Sequence, residues 1–325
     1  LKELCSRTNM NNPANALWKL TAFREEFRQK PSELVDIQES KIAYHAGATL
    51  EQAQPVGHSV IEVNNREDLQ AVLNTNAGSG KTLFLRAGEY RLKQSLTIPS
   101  DIHICGEGRS TVLICEPTIR TAAILLGDLD AKNITIENLV VDGSKEHQDA
   151  YDPNSGRFYR TGRYSNALAG ISMRGEAGHA FSNIKLKNLT VINFSRSGVY
   201  ISDAEGIEIH HCDFTENGAH VVPGPRLQHN LMIQHSSNIM IKDSRFDTSV
   251  RGCGLVLDHC KSLKVENCEI ARNGWHGLLM AECHNGKIEN CLVEGNDGCG
   301  FMGEYLHDGS NLIQIRHNKI QYNNE

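Results

Sequence analysis

LKVENCEI at Leu263–Ile270 and GKIENCLV at Gly286–Val293 follow one template: aliphatic, x, aliphatic, x, Asn, then x, x and another apolar residue, with Gly286 in the first place of the second copy. Reading outward, the template returns as IQIRHNKI (Ile313), IMIKDSRF (Ile239), IEIHHCDF (Ile207), IKLKNLTV (Ile184) and ITIENLVV (Ile134). The fifth position reads Asn138, Asn188, His211, Asp243, Asn267, Asn290 and His317, at spacings of 50, 23, 32, 24, 23 and 27. Alternation ahead of the polar residue is the period-two signal of a strand. The polar residue marks a bend, because Asn, Asp and His tolerate left-handed backbone angles better than most residues. A period near 23 with two larger gaps means one coil per repeat, with insertions in two coils. Stacked bend residues are placed to hydrogen-bond from one coil to the next.

A third strand follows each bend strand after a short turn: GISMRG (Gly170), GVYISD (Gly198), NLMIQH (Asn230), GLVLDH (Gly254), GLLMAE (Gly277) and GFMGEY (Gly300). The chain therefore reads as a solenoid of three-strand rungs. After the bend stand Leu139, Leu189, Cys212, Ser244, Cys268, Cys291 and Asn318, so three cysteines share a column, and Cys260 and Cys283 share another. Small thiols repeated in register suit a solenoid interior, and none of the paired-cysteine spacings of a structural zinc site appears. Most of the ten cysteines are thus expected as free core residues, with disulfides or metal ligands as the alternative.

The run TLFLRAGEYRLKQSLTIPSDIHICGEG from Thr82 to Gly108 resembles the opening coil of the pectate-lyase-like superfamily, with its strand, GxY turn and GEG turn ahead of the stack. The repeats resemble that superfamily too, so the resemblance runs from about Val60 to the C-terminus. It implies an all-β, single-stranded right-handed parallel β-helix with a short N-terminal helical cap. Residues 1–57 read as the cap, with an amphipathic helix over Pro13–Lys30. Residues 58–325 read as the β-helix, with loop insertions near 143–167 and 217–228. A short helix from Asn65 flanks the first coil. GSGKT at Gly78–Thr82 has Thr75 where a phosphate loop needs its earlier glycine, and a turn before a strand explains it. The chain stops just after a bend strand, so either further chain or a partner is expected to cover that edge, and an oligomer could form there.

A net charge of −6 with interspersed signs argues against nucleic acid, and no apolar run is long enough to span a membrane. In the resembling enzymes substrate lies along the third strand, walled by the loops leading into it. The two insertions fall in those loops. They carry Tyr159, Arg160, Arg163 and Tyr164, then His220 and Arg226. Interleaved Tyr and Arg suit sugar faces and acidic groups, so an acidic polysaccharide is the expected partner, which implies a secreted or periplasmic protein.

On the third strand, Val199, Ile201, Leu231, Ile233, Leu255 and Leu257 should point inward. The opposite parity then exposes Arg174, Ser202, Gln234, Asp258, Ala281 and Glu304 in one column. Rungs stack at roughly 4.8 Å, so Asp258 and Glu304, two rungs apart, stand at a spacing that suits an acid and a base working through a water. β-Elimination from a uronic acid needs instead a base and nearby positive charge. His276, beside Trp275, is the leading base, with His220, Arg226, Arg251 and Arg174 around the same face. Elimination is slightly preferred, because the first insertion is rich in Arg and Tyr. Hydrolysis by paired carboxylates, C5 epimerisation and a non-catalytic glycan-binding or structural β-helix are the alternatives. The resemblance to pectate lyases also implies calcium, through Asp258, Glu282 and Glu304.

The resemblance stops at the superfamily. The Asn-Thr-Asp and Asp-Asp signatures of polygalacturonases are missing. Leu257-Asp258-His259-Cys260 resembles a pectate-lyase strand, but no Arg-x-Pro-x-x-Arg follows. Tyr151-Asp152-Pro153 resembles an alginate epimerase motif but continues with Asn154 and Ser155.

Overall fold

The structure, a computed structural model, describes residues 59–128, 130–144, 150–152, 157–159, 169–175, 180–218, 228–304 and 312–324. The chain divides into a unit of Leu1–Glu51, outside the described residues with the expected Pro13–Lys30 helix, and a unit of Gln52–Glu325. The latter is a right-handed parallel β-solenoid.

Register follows the template residue for residue. Its first position stacks Ile134, Ile184, Ile207, Ile239, Leu263, Gly286 and Ile313 on successive rungs. Parallel pairing buries such columns, and each Ile or Leu withdrawn from water contributes about 1.5–3 kcal/mol. All seven bend residues are left-handed, with φ between 48° and 57°. Their side chains link rungs, Asn188 Nδ2 donating to Asn138 Oδ1 at 2.9 Å and Asn267 Nδ2 to Asp243 Oδ1 at 3.0 Å. The third strands form their own sheet, from Leu96–Ile98 to Phe301–Glu304.

The cysteine columns are interior, and the nine described cysteines are free. Each column thiol donates to the carbonyl two residues earlier: Cys212 to His210 at 3.4 Å, Cys268 to Glu266 at 3.3 Å, Cys260 to Asp258 at 3.3 Å. Ser244 and Ser236 fill gaps in the same columns and make the same bond, to Lys242 and Gln234. That shared bond is why serine and cysteine interchange there.

A buried asparagine ladder that the repeat template did not predict runs beneath the turns before the third strands. Asn217 Nδ2 donates to Asn230 Oδ1 (3.0 Å), Asn230 to Asn273 (3.1 Å), Asn273 to Asn296 (2.8 Å) and Asn296 to Asn323 (2.8 Å). The ladder also explains the glycine that opens most third strands. A Cβ on Gly254 would stand 2.6 Å from Asn273 Nδ2, and one on Gly277 would stand 2.8 Å from Asn296 Nδ2.

Beside the first coil a helix spans Leu69–Thr75, capped by Asp68, which accepts from the backbone of Gln70 and Ala71. It begins four residues later than Asn65, because Asp68 supplies the N-cap. Gly78 and Gly80 take positive φ in the turn before Thr82, so GSGKT is a turn. Of the first insertion, Ala150–Asp152 pairs antiparallel with Arg157–Tyr159. The last rung leaves Leu312, Ile315 and Ile320 exposed.

Candidate functional site

On the third sheet, register pairs Arg174 with Ser202, Ser202 with Gln234, Gln234 with Asp258, Asp258 with Ala281 and Ala281 with Glu304. Val199, Ile201, Leu231, Ile233, Leu255 and Leu257 are all fully buried behind them. The expected outward column therefore exists, although Ser202 is itself buried.

Along this face, side chains form a continuous line. The Arg174 guanidinium lies 4.6 Å from the centroid of the Tyr200 ring, a cation–π contact. The Tyr200 hydroxyl donates to Gln234 Oε1 (2.7 Å), and Gln234 Nε2 donates to Asp258 Oδ2 (2.7 Å). Asp258 Oδ1 is 2.7 Å from His259 Nδ1, and His259 Nε2 is 3.0 Å from Glu282 Oε2. The hydrogen bond to Asp258 raises the His259 imidazole above its ordinary range. His259 remains 44% exposed and its ring lies 4.9 Å from that of His235.

His259 is not among the residues expected at this face, and the Asp258-His259 pair in the strand is the one sequence signal for it. It sits in a left-handed corner, with φ of 51°, like Asp203, His235 and Glu282 in neighbouring rungs. The corner turns its ring back along the face, between two carboxylates on successive rungs. Tyr200 carries no sequence signal, because its outward position holds Met232, Val256 and Leu279 in the next rungs.

The structure corrects the placement of His276. It is 4% exposed rather than on the open face, and its Nδ1 accepts from the Cys299 backbone N–H at 2.9 Å. Its ring stacks beside Trp275 at 4.5 Å. His229 occupies the equivalent place two rungs earlier and accepts from Cys253 N at 3.0 Å. The residue before a third strand's opening position tucks under the turn of the next rung, so strand parity does not govern it. Trp275 and Arg251 are partly exposed in the turns before their strands. Glu304 is partly exposed at the end of the last third strand. Tyr159 lies on the Arg157–Tyr159 strand. Arg160, Arg163, Tyr164, His220 and Arg226 lie outside the described residues.

As a calcium site, Asp258, Glu282 and Glu304 do not fit as placed. Both Asp258 oxygens hold hydrogen bonds and the His259 ring separates that carboxylate from Glu282, whereas calcium takes six to eight converging oxygens. Among the described residues no helix is long and apolar enough to cross a membrane.

The profile of the family described as "Right handed beta helix region" matches residues 122–325. No curated protein matches the sequence. Among solved structures, the polygalacturonase of Erwinia carotovora subsp. carotovora superposes with a TM-score of 0.53 at 14% identity, over 84% of each chain. PfbA, a surface adhesin of Streptococcus pneumoniae, gives 0.52 at 8% identity, over 81% of this chain and 79% of its own. The A-module of the Azotobacter vinelandii mannuronan C-5 epimerase AlgE6 gives 0.44 at 14% identity, over 80% of this chain and 76% of its own. At these identities the likeness is one of fold.

Proposed function

This chain belongs to the right-handed β-helix family, and we propose that it is a carbohydrate-active enzyme cleaving glycosidic bonds in an acidic polysaccharide laid along its third sheet. The observation that carries this reading is the polar line from Arg174 through Tyr200, Gln234, Asp258 and His259 to Glu282. One end offers a guanidinium for a sugar carboxylate, and the other concentrates groups that move protons. Such a substrate implies work outside the cytoplasm.

Hydrolysis is the reaction this geometry supports best. Asp258 and Glu304 share the outward column with only the small Ala281 between them. Two rungs separate their backbones by about 9–10 Å, and inverting hydrolases hold their carboxyl groups roughly 6.5–9.5 Å apart to admit a water. Gln234 and His259 fix the Asp258 carboxylate, which suits it to orient and deprotonate that water. In the same step Glu304 protonates the departing oxygen.

β-Elimination is the second reading, favoured by His259. His276 is engaged in its turn, so the base passes to His259, whose basicity the Asp258 contact raises. The same fold serves an adhesin, so a binding module is the reading from another class.

One assay separates these readings: a panel of acidic and neutral polysaccharides followed for reducing ends and ultraviolet absorbance together. New reducing ends without absorbance are expected. Absorbance rising with the ends would replace hydrolysis by elimination. Retention of a glycan with no change in either would overturn cleavage in favour of binding or epimerisation.

A further inference from the structure

Away from the third sheet, His103, Cys105 and Glu137 bring their ligand-type atoms within 4.8 Å of one another. His103 and Cys105 alternate with the buried Ile102 and Ile104 on one strand, so both face outward. Glu137 stands opposite Cys105 on the next parallel strand. Two residues along a strand and one directly across it form a triangle on one sheet face.

Cys105 is unlike the column cysteines. Those lie inside the solenoid and bond the carbonyl two residues back, whereas Cys105 has outward parity yet is 1% exposed. Asn138 Nδ2 points at its sulfur from 3.4 Å, an arrangement suited to a thiolate. Burial, with the Glu137 carboxylate beside it, pushes the thiol up to about 11.

The imidazole is oriented from behind. Thr82 Oγ1 lies 3.0 Å from His103 Nδ1, which leaves Nε2 aimed at Glu137 Oε1, 2.9 Å away. Metal-bound histidines characteristically give their second nitrogen to such a partner. His103 and Glu137 keep 27% and 21% side-chain exposure, so an ion can arrive from solvent and retain a water. Sulfur, imidazole and carboxylate together disfavour calcium and magnesium and suit zinc, which binds such ligands tetrahedrally at about 2.0–2.3 Å.

We propose that His103, Cys105 and Glu137 form a zinc site with one open position, tying the strand Ile102–Gly106 to the strand Lys132–Asp142. Zn²⁺ displaces the thiol proton, binds Cys105 Sγ, His103 Nε2 and a Glu137 oxygen, and leaves the fourth position to water. The site is independent of the reaction proposed for the third sheet.

The test is a titration of the whole chain with Co²⁺ near neutral pH, read by the near-ultraviolet thiolate-to-cobalt band. One equivalent should saturate the band, and Zn²⁺ should displace it. Cys105→Ser should abolish it, while Cys268→Ser should leave it intact. Glu137→Gln and Thr82→Val, both gentler on the fold, should weaken Co²⁺ binding about tenfold or more. Zn²⁺ should also raise the thermal midpoint of the unmodified chain but not of Cys105→Ser. A missing band, a band that survives Cys105→Ser, or binding indifferent to both Glu137→Gln and Thr82→Val would overturn the site.

Discussion

Asn230 and Ser249 have exchanged roles relative to the rungs beside them. Asn230 stands where Gly198, Gly254, Gly277 and Gly300 open their strands, and Ser249 stands where the flanking turns carry Asn217 and Asn273. The Asn230 side chain reaches into the vacancy left by Ser249 and bridges Asn217 and Asn273 at 3.0 and 3.1 Å. The ladder continues because two departures from the repeat cancel. Removing a link leaves buried amides unpaired, which is far more destabilising than the bond's net worth.

The two positions should therefore be coupled. Asn230→Gly should destabilise by about 1–3 kcal/mol through unpaired amides, and Ser249→Asn by a similar amount through overpacking. The double variant should recover most of the loss. Denaturant melts of all four proteins measure the coupling, and strict additivity would refute the exchange.

Acid should weaken the fold through His229. Burial lowers its imidazole from 6.5 to about 4, with His276 adding a smaller push in the same direction. Between those values the unfolded chain binds a proton that the folded chain refuses, so stability rises with pH across the window and falls toward its acid end. The full effect is about 3 kcal/mol. His229→Gln can still accept from Cys253 N and should flatten this part of the stability–pH curve. An unchanged curve would show that other groups set it.

Asp258→Asn and Glu304→Gln should each lower kcat by about 10²–10⁴-fold while shifting the thermal midpoint little, since both side chains are partly exposed. His259→Gln should lower kcat less and alter the shape of the pH–rate profile, because His259 positions Asp258. If the His259 variant alone abolishes turnover and the carboxylate variants retain it, the second reading takes over.

Under the proposed reading, in which the guanidinium holds a sugar carboxylate away from the scissile bond, Arg174→Ala should raise KM for an acidic glycan about tenfold or more and leave kcat largely intact. Arg174→Lys should recover only part, because a point charge cannot reproduce the planar fork over Tyr200. An equal loss on a neutral glycan would assign Arg174 to packing.

Periodicity reads a solenoid well, because each coil repeats the same hydrophobic demand. The seven bends from Asn138 to His317 and the column from Arg174 to Glu304 were legible for that reason. Parity holds inside strands and fails in turns. His276, flanked by Trp275 and Gly277, looks like an exposed turn residue, yet its ring accepts from Cys299 beneath the next rung. His259 shows the opposite case: its rung neighbours are not visible in the sequence, yet in the fold it lies between Asp258 and Glu282.

The sequence by itself determined the coil, its period, the inward and outward faces of each strand and the columns of cysteines, because these follow from local alternation repeated in register. Only the tertiary structure decided which side chains meet between rungs. Asp258 touches His259 and Gln234, His103 and Cys105 meet Glu137, and Asn230 substitutes for a missing ladder residue, reaching partners 13 and 43 positions away in the chain. Those meetings depend on rotamers and corner geometry across neighbouring coils, and insertions make the sequence distance between coils irregular, so no single repeat encodes them.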